Sequence, residues 1–396
     1  MRSFVIIALL ATVASAGLLD PKDLGKGFAD LLDQGKFDDL CKNGKVKDLI
    51  NGLTNVTDNT KKSLHSAVNL HQSLAADDKK HLHNFFQFIV KFGREYDNDT
   101  TTSQRFGHFK TSLKRVESRQ KHSPKTKFGV TKFSDLSAQE FVNKHTGVKG
   151  VSHVQKLHST SKPSQIRAKR QDTPDSYDWR DYEGVTSIKD QGACGCCYAF
   201  AAVAAIESQH KLQTFEELDL SEEQMVACTY QNQKYDDNNG CDGGSSPGVL
   251  RYAIDHGITS EANWGYTLGE TGDNSAIPKC KSKTSAVRSV TSQTQLPSDD
   301  EDNMASVVAS SGPIVTYLDA GPLQDYQGGI IDAQEPEGGW EINHAILTIG
   351  YGNEDGTPYW IMKNQWGEDW GESGFFRAIR GTNNMLVGDW NYQVQL

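Results

Sequence analysis

Cys197 lies at the predicted start of a helix, a position at which a thiol can act as a nucleophile. It opens an alanine-rich run, residues 197–212, in which apolar residues recur at the spacing of a helix. Gly192 and Gly195 suit a turn that leads into the start of that helix. The positive end of a helix dipole favours the thiolate form of a cysteine. The alternative is that Cys197 is a small core residue, because free cysteines are often buried.

A histidine and an amide lie on two alternating segments further along the chain. Residues 343–350 and 358–364 alternate in polarity, and residues 352–356 between them are typical of a turn. The pattern predicts an antiparallel hairpin that brings His344 close to Asn364 within a register step. An amide oxygen beside an imidazole can hold the ring in the orientation that a general base needs.

The cysteine inventory limits the other roles of these thiols. The cluster at residues 194–197 is too compact to pair within itself without strain. A zinc site is the alternative, but no matching ligand spacing accompanies the cluster. An odd number of cysteines leaves at least one thiol unpaired or intermolecular in a secreted chain. The seven are Cys41, Cys194, Cys196, Cys197, Cys228, Cys241 and Cys280.

The residues around these groups match known motifs in a fixed order. Residues 191–200 (QGACGCCYAF) resemble the active-site signature of papain-like cysteine peptidases, and 343–345 (NHA) and 363–367 (KNQWG) resemble its histidine and asparagine motifs. Further matches lie at 178–180, 220–224, 240–244 and 370–372. The resemblance implies an α+β, papain-like two-lobed fold: a helical lobe, a β-barrel-like lobe and an active site in the cleft, preceded by a helical propeptide.

The same resemblance implies a role for each matched residue. Cys197 would be the nucleophile, and His344 its base and later the acid that protonates the leaving amine. Asn364 would orient the ring, while the Gln191 side chain and the Cys197 backbone N–H would form the oxyanion hole. Such a site needs neither a metal nor an organic cofactor.

Four residues are expected on the substrate side of the cleft. Trp366 would shield the bond between the histidine and the asparagine from water, and Gly243 and Gly244 would contact the substrate. Asp389 would lie near the base of the second specificity pocket and favour a basic side chain there.

The family pattern also implies the disulfides Cys194–Cys241 and Cys228–Cys280, which leave Cys197 free. The cysteine pair that often staples the C-terminal part of the family is absent here. We therefore expect a freer loop near Thr382–Met385.

Two positions depart from the family signature. Tyr198 follows the nucleophile where the family usually has Trp, which predicts altered packing with activity retained. Cys196 replaces the usual Ser. Its thiol could form an oxidative trap with Cys197 or be a small buried side chain, and we favour the buried side chain.

Residues 80–170 resemble an inhibitory propeptide of the cathepsin L type. Helical patterns cover His81–Phe92 and Arg105–Val116, and residues 129–135 resemble the strand motif that follows in such propeptides. The resemblance implies that this part of the chain covers the cleft in the non-productive chain direction.

The ends of the chain predict processing in the secretory pathway. Residues 1–16 have the order of a signal peptide, with an ordinary N-terminal helix as the alternative. Residues 17–79 form an extension of unknown role, with apolar positions that predict short helices. Asn55 and Asn98 lie in sequons that would be glycosylated in that pathway. The composition of residues 149–170 predicts an exposed linker that ends at Lys169-Arg170. We therefore expect cleavage near that pair and a mature domain at residues 171–396.

Charge is distributed very unevenly over the 396 residues. Residues 1–99 are balanced, residues 100–170 hold 16 basic and 3 acidic side chains, and residues 171–396 hold 12 basic and 35 acidic ones. The formal net charge of −10 is thus the sum of +13 on a basic segment and −23 on the acidic domain that follows it. Such a domain is a poor partner for nucleic acid, which needs clustered Lys and Arg. The only apolar N-terminal run is too short to span a membrane.

These observations predict a cysteine endopeptidase made as a zymogen, acting on polypeptides, inhibited by its own propeptide and monomeric once mature. We expect it in a lysosome or outside the cell. An exopeptidase of the same family and a non-catalytic binding protein on the same fold are the alternatives. The second would require a broken triad, whereas Cys197, His344 and Asn364 are all present.

Overall fold

The computed structural model describes residues 34–148, 173–281 and 285–396. The described chain divides into two units, one of residues 34–117 with 130–137 and the other of residues 118–129 with 138–396. The predicted signal peptide and the predicted cleavage site at Lys169-Arg170 lie outside the described residues. Within the described ranges, no helix combines the length and the apolar character needed to cross a membrane.

The first unit is built from helices that share one aromatic core. Phe37 of the extension packs on Phe86, with 5.1 Å between ring centroids, and Phe85 packs on Phe109 at 5.4 Å. The short helices predicted in the extension are present, and they share a core with the predicted propeptide helices. The helices are α1 (Gln34–Lys42), α2 (Val46–Asn51), α3 (Asp58–Leu70), α4 (Ala76–Lys91) and α5 (Asp99–His122), the last continuing into the second unit from Ser118.

Both propeptide helices are longer than their apolar patterns predict. Helix α4 begins at Ala76 instead of His81, and α5 extends beyond Arg105–Val116 at both ends. The additional turns are polar, so they carry no hydrophobic period. The N-terminal turn of α5 is instead stabilised by Asn98, whose side-chain oxygen accepts the backbone N–H of Thr101 at 2.9 Å.

The expectation of a strand at residues 129–135 is wrong. The strand in this region, β1, is Thr126–Phe128, and the chain after it forms consecutive turns. Ser134 explains the turn, because its Oγ accepts the Thr131 N–H at 3.0 Å and its own N–H donates to the Thr131 carbonyl. An ion pair between Arg94 and Asp135, at 2.9 Å, fixes this turn within the first unit.

The second unit combines helices with a mainly antiparallel sheet. Its helices are α6 (Ala138–His145), α7 (Cys197–Thr214), α8 (Glu222–Thr229), α9 (Ser246–His256), α10 (Leu268–Thr271) and α11 (Glu301–Ser311). The strands after β1 are β2 (Tyr177–Asp178), β3 (Ser292–Gln295), β4 (Ile314–Leu318), β5 (Tyr326–Ile331), β6 (His344–Glu354), β7 (Thr357–Lys363), β8 (Phe375–Ile379) and β9 (Asn391–Gln395). The nine strands of the described residues form one sheet in the order β1-β5-β8-β7-β6-β4-β9-β3, with β2 paired to β6. Only β5 and β8 pair in parallel in the described register.

Helix α7 runs through the core of the second unit. Its residues from Cys197 to Val203 are all buried, on every face of the helix. A helix that is apolar all round is expected inside a core rather than on a surface. The start of α7 is therefore held by packing as well as by its own hydrogen bonds.

The predicted hairpin is present and is formed by β6 and β7. Asp355 and Gly356 make its two-residue turn, and both have positive φ, as a turn that matches strand twist requires. The register pairs Leu347 with Lys363 and shifts by one residue between Thr348 and Gly350. Continued past Lys363, it would place Asn364 opposite Ile346, two residues from His344.

The loop near Thr382–Met385 is not a loose one, contrary to expectation. The Glu301 carboxylate accepts the backbone N–H groups of Gly381 and Asn383, at 2.8 and 2.7 Å. The Asn383 side chain accepts the Gly388 N–H, and Met385 is buried. Hydrogen bonds and one buried side chain thus anchor a loop that lacks a disulfide.

Candidate active site

Cys197 is the first residue of α7, as its sequence context predicts. The N–H groups of a first helical turn have no acceptor within the helix, so the Cys197 N–H is available to a ligand. The Cys197 side chain is fully buried in the same core cluster as Ala345, whose backbone N–H partly offsets the rise in the pKa of the thiol. The thiol therefore lies against the residue that follows His344.

The imidazole of His344 is oriented by an amide. Its Nε2 lies 2.9 Å from Oδ1 of Asn364, although the two residues are not directly opposite in the hairpin. Trp366 stacks on the His344 ring, with 4.7 Å between centroids and 26° between planes. An Nε2 proton donated to Asn364 leaves Nδ1 as the basic nitrogen. Nδ1 is buried and has no hydrogen-bond partner among the described residues.

Burial keeps both reacting groups neutral in this form of the protein. Desolvation raises the pKa of the Cys197 thiol to about 12, against the smaller opposing effect of backbone N–H groups led by that of Ala345. Desolvation also lowers the pKa of His344 to about 4; the bond to Asn364 opposes this shift, and the nearby His145 adds to it. The arrangement is that of a thiol beside an uncharged imidazole.

Gln191, the predicted oxyanion donor, is held by hydrogen bonds of both its backbone and its side chain. Its backbone N–H donates to the carbonyl of Gln365 at 2.9 Å, which connects it to the residue that follows Asn364. Its side-chain Nε2 donates to the Cys194 carbonyl at 2.8 Å. An amide nitrogen carries two hydrogens, so a second one remains for a ligand.

An ionic cluster around Lys189 stabilises the segment that carries Gln191. Lys189 Nζ lies 2.8 Å from carboxylate oxygens of Glu207 in α7 and Glu222 in α8. Burial alone would lower the pKa of Lys189, but the carboxylates of Glu222, Glu207 and Asp219 more than offset it and hold that pKa above its usual value. Because the cluster joins three elements, it fixes Gln191 relative to the helix of the nucleophile.

One stretch of the chain lies over these residues. This covering segment, residues 138–148, contains α6 and the three residues that follow it. Trp366 Nε1 donates to the His145 carbonyl at 2.9 Å, and the Gly244 N–H donates to the Gly147 carbonyl at 2.8 Å. The N–H groups of Gly147 and Val148 both donate to the Asn343 carbonyl. The covering segment thereby packs over Cys197 and His344, both of which are fully buried.

Glycines allow the close approach of this segment. A Cβ at Gly147 would lie 1.9 Å from the Gly195 carbonyl oxygen, and one at Gly195 would lie 2.6 Å from the Thr146 carbonyl oxygen. Gly244 is half-buried beside Tyr198 and bonds to the segment directly, whereas Gly243 is buried and bonds to Asn239 through its carbonyl. Gly244 is thus the member of the predicted pair that bonds to the covering segment.

Asp389 bonds within the C-terminal loop. Its carboxylate accepts a hydrogen bond from the Asn383 side chain at 2.8 Å, and the residue is half-buried. Its predicted role in specificity stays a prediction.

The two departures from the family signature are both buried. The Tyr198 ring is buried, and its hydroxyl donates a hydrogen bond to the Gly240 carbonyl at 3.2 Å. Cys196 is a free thiol whose sulfur lies 3.1 Å from the Tyr266 hydroxyl, and burial raises its pKa. The favoured interpretation of Cys196 as a small buried side chain agrees with this placement.

The structure contains the disulfides Cys194–Cys241 and Cys228–Cys280, the pairing that the resemblance implies. Asn55 and Asn98 are both exposed, so a glycan has room at each, and glycosylation stays a prediction.

Comparison with known proteins agrees with this geometry. The profile of the papain family cysteine protease matches residues 173–391, which is more than half of the chain. This chain belongs to the papain family of cysteine proteases. The cathepsin propeptide inhibitor domain (I29) matches residues 85–141, so the chain carries the family's inhibitory propeptide.

Curated relatives and solved structures match most of this papain-family chain. Cysteine proteinase B of Leishmania mexicana is 35% identical over 313 residues, covering 77% of this chain and 67% of its own. Probable cysteine protease RD19B of Arabidopsis thaliana is 34% identical, covering 76% and 83%. Digestive procathepsin L 3 of Tenebrio molitor larval midgut has a TM-score of 0.66 at 29% identity, covering 80% of this chain and 99% of its own. The fold is the papain-like α+β fold with an N-terminal helical propeptide.

Sequence reasoning missed several residues that contact the site. Asn343 was noticed only as part of a motif, yet its carbonyl binds the covering segment and its side chain donates to the buried Asp319 at 3.1 Å. His145 and Gly147 carry no recognisable pattern, because their role depends on where the chain folds back. Gln365 lies inside the quoted KNQWG motif, so its position could have drawn attention to it.

Proposed function

We propose that this chain is the zymogen of a cysteine endopeptidase that uses Cys197, His344 and Asn364. The observation that carries the proposal is the bond between His344 Nε2 and Asn364 Oδ1, which leaves the buried Nδ1 as the base. Cys197 packs in the same core cluster as Ala345, the residue that follows His344. Nδ1 takes the thiol proton, and the thiolate attacks the carbonyl carbon of the peptide bond.

The remaining steps follow from the groups around that carbon. The tetrahedral oxyanion receives hydrogen bonds from the free Nε2 hydrogen of Gln191 and the backbone N–H of Cys197. His344 returns its proton to the amine, which leaves, and a thioester joins the acyl group to Cys197. Water, deprotonated by His344, then hydrolyses the thioester and regenerates the thiol.

The direction of the covering segment accounts for its resistance to cleavage. The leaving amine must lie on the side of His344 and of Trp366, which stacks on it, so the acyl part of a substrate lies toward Gly244. The covering segment runs from His145 at Trp366 to Gly147 at Gly244, from the leaving-group side to the acyl side. A substrate runs the opposite way, so the segment fills the cleft with its peptide bonds reversed.

The same segment favours an endopeptidase over an exopeptidase. A continuous chain already passes the site and makes backbone hydrogen bonds on both sides of it, at Trp366 and at Gly244. A cleft that accepts a through-running chain suits internal bonds. Peptides with blocked ends should be cleaved as well as free-ended ones of the same sequence, and a strict need for a free terminus would favour the exopeptidase.

Two substitutions test the assignment of the nucleophile. Cys197→Ala should abolish peptide hydrolysis by the acid-treated precursor, because it removes the proposed nucleophile. Cys196→Ala is the matched control, because it removes the neighbouring thiol and should leave most of the activity. An active Cys197→Ala enzyme, or an inactive Cys196→Ala enzyme that still folds, would overturn the assignment.

The disulfides and the propeptide are consistent with the secretory pathway, and we place the active enzyme in a lysosome or outside the cell, as a monomer. Cleavage near Lys169-Arg170 would remove the basic part of the chain and leave an acidic domain of net charge −23. N-terminal sequencing of the acid-treated precursor tests the position of that cleavage.

A further inference from the structure

Gln365 is a buried amide between the two halves of the catalytic machinery. It follows Asn364 directly and is 6% exposed. Its Nε2 donates to the Ala345 carbonyl at 2.9 Å and to Oε1 of Gln191 at 3.2 Å, and it lies 3.5 Å from Nε2 of His344. Both hydrogens of the Gln365 amide nitrogen are therefore committed, one on the side of the base and one on the side of the oxyanion donor.

The bond to Gln191 decides which way that amide faces. Gln191 Nε2 donates one hydrogen to the Cys194 carbonyl, and its Oε1 accepts from Gln365. If the Gln191 amide were turned over, its NH₂ group would face the NH₂ group of Gln365, and its oxygen would face the Cys194 carbonyl. Both contacts would become repulsive, so only one orientation is favourable.

That orientation is the one an oxyanion needs. With Oε1 held by Gln365 and one Nε2 hydrogen held by Cys194, the other Nε2 hydrogen is the remaining donor of Gln191. Donors that are oriented before the reaction stabilise developing charge without reorganisation. The backbone adds to the constraint, because the Gln191 N–H donates to the Gln365 carbonyl at 2.9 Å.

We infer that Gln365 is a positioning residue, which acts through Gln191 by fixing its amide in the orientation that donates to the oxyanion. The inference rests on the proposed function, since it requires that Gln191 stabilises an oxyanion. It assigns Gln365 no contact with the substrate. Its effect should appear in kcat, because the oxyanion exists only after the thiolate has attacked.

The test is a double-mutant cycle on the activated enzyme. Gln365→Met keeps the length of the side chain and removes both donors, so kcat for a peptide substrate should fall about 10-fold with little change in KM. In a Gln191→Ala background the same substitution should change kcat less than about 2-fold, because there is no amide left to orient. Gln209→Met, which removes a buried amide donor bonded to the Ser311 carbonyl elsewhere on α7, is the control and should leave kcat unchanged.

A second variant covers failure of Gln365→Met to fold. Gln365→Glu keeps the shape, and its ionised carboxylate cannot donate to Gln191, whereas its protonated form can donate one hydrogen bond. Its loss of kcat relative to the wild type should therefore shrink as the pH falls. An equal loss in both Gln191 backgrounds, or no loss at all in an active enzyme, would overturn the positioning role. A wild-type enzyme that hydrolyses no peptide would instead overturn the proposed function.

Discussion

Cys197 and His344 are both fully buried, and burial sets their charges in the covered protein. A helix dipole favours a thiolate by about 0.3–1 kcal/mol, and by at most about 2 kcal/mol in partly buried sites. Full burial shifts a pKa by up to about 3–5 units, which is about 4–7 kcal/mol. The free-energy cost of desolvation therefore exceeds the stabilisation by the helix dipole. We expect Cys197 to ionise only after the covering segment has left the cleft.

This balance predicts a latent thiol in the precursor. In a Cys41→Ala, Cys196→Ala precursor, Cys197 is the remaining cysteine outside the two disulfides. Because burial raises its pKa to about 12, iodoacetamide at pH 7 should modify it at least about 100-fold more slowly than after acid activation. Alkylation followed by mass spectrometry gives both rates. Equal rates would mean that the covering segment does not control the thiol.

Single residues were predictable from the sequence where a motif and a local pattern agreed. The segments of alternating polarity and the turn residues at 352–356 predicted the hairpin, and the motifs then selected His344 and Asn364 within it. Gln365 and His145 act through contacts with residues more than 40 positions away, Gln191 and Gly192 among them. Local spacing contains no signal for such contacts.

At the scale of elements, the hairpin positions the histidine only in combination with the chain after it. The register of β6 and β7 would set Asn364 opposite Ile346, so the bond to His344 is diagonal. It forms because Asn364 lies beyond the last residue of β7, where its N–H donates to the Gly374 carbonyl instead of continuing the ladder. Strand alternation could predict proximity, but not this departure from the ladder.

The covering segment depends on one glycine, which gives a direct prediction. Gly147→Ala places a methyl carbon 1.9 Å from the Gly195 carbonyl oxygen, so the segment has to move away from the cleft. Overpacking of this kind costs about 1–3 kcal/mol. The full-length precursor should therefore show about 10-fold or more leakage activity on a small fluorogenic peptide at neutral pH, and it should process faster in acid.

Gly107→Ala is the matched control for this substitution. Gly107 lies within α5, and a Cβ there would meet nothing within 4 Å. Alanine in a helix is about 0.5–1 kcal/mol more favourable than glycine, so this precursor should be slightly more stable and no leakier than the wild type. Equal leakage from both variants would show that the precursor does not depend on the fit at Gly147.

At the scale of the whole molecule, the sequence predicted the charge division but not how the basic part is used. Residues 100–170 carry a net charge of +13, yet one of their cations makes a specific buried contact in the second unit: Arg119 pairs with Asp325 at 2.6 Å and donates to the Gly321 and Pro322 carbonyls. Such bonds fix a register that net charge alone cannot specify. The shared core of Phe37 and Phe86 was equally invisible, because helical spacing does not say which faces meet.

The titration of the buried histidine predicts that acid releases the cover. The pKa of His344 is about 4 while it is buried and should return toward 6.5 once it is exposed. The uncovered form therefore binds more protons between these values, so the covered form is fully stable above about pH 6.5 and loses stability as the pH falls toward 4. In a Cys197→Ala precursor, which cannot cleave itself, hydrogen exchange of residues 138–148 should accelerate as the pH falls over this range.

Replacing the histidine in the same precursor tests whether it is the main pH sensor. His344→Gln should flatten the pH dependence of hydrogen exchange. An unchanged pH profile would assign the response to other groups, such as the neighbouring His145 or the carboxylates of the acidic domain.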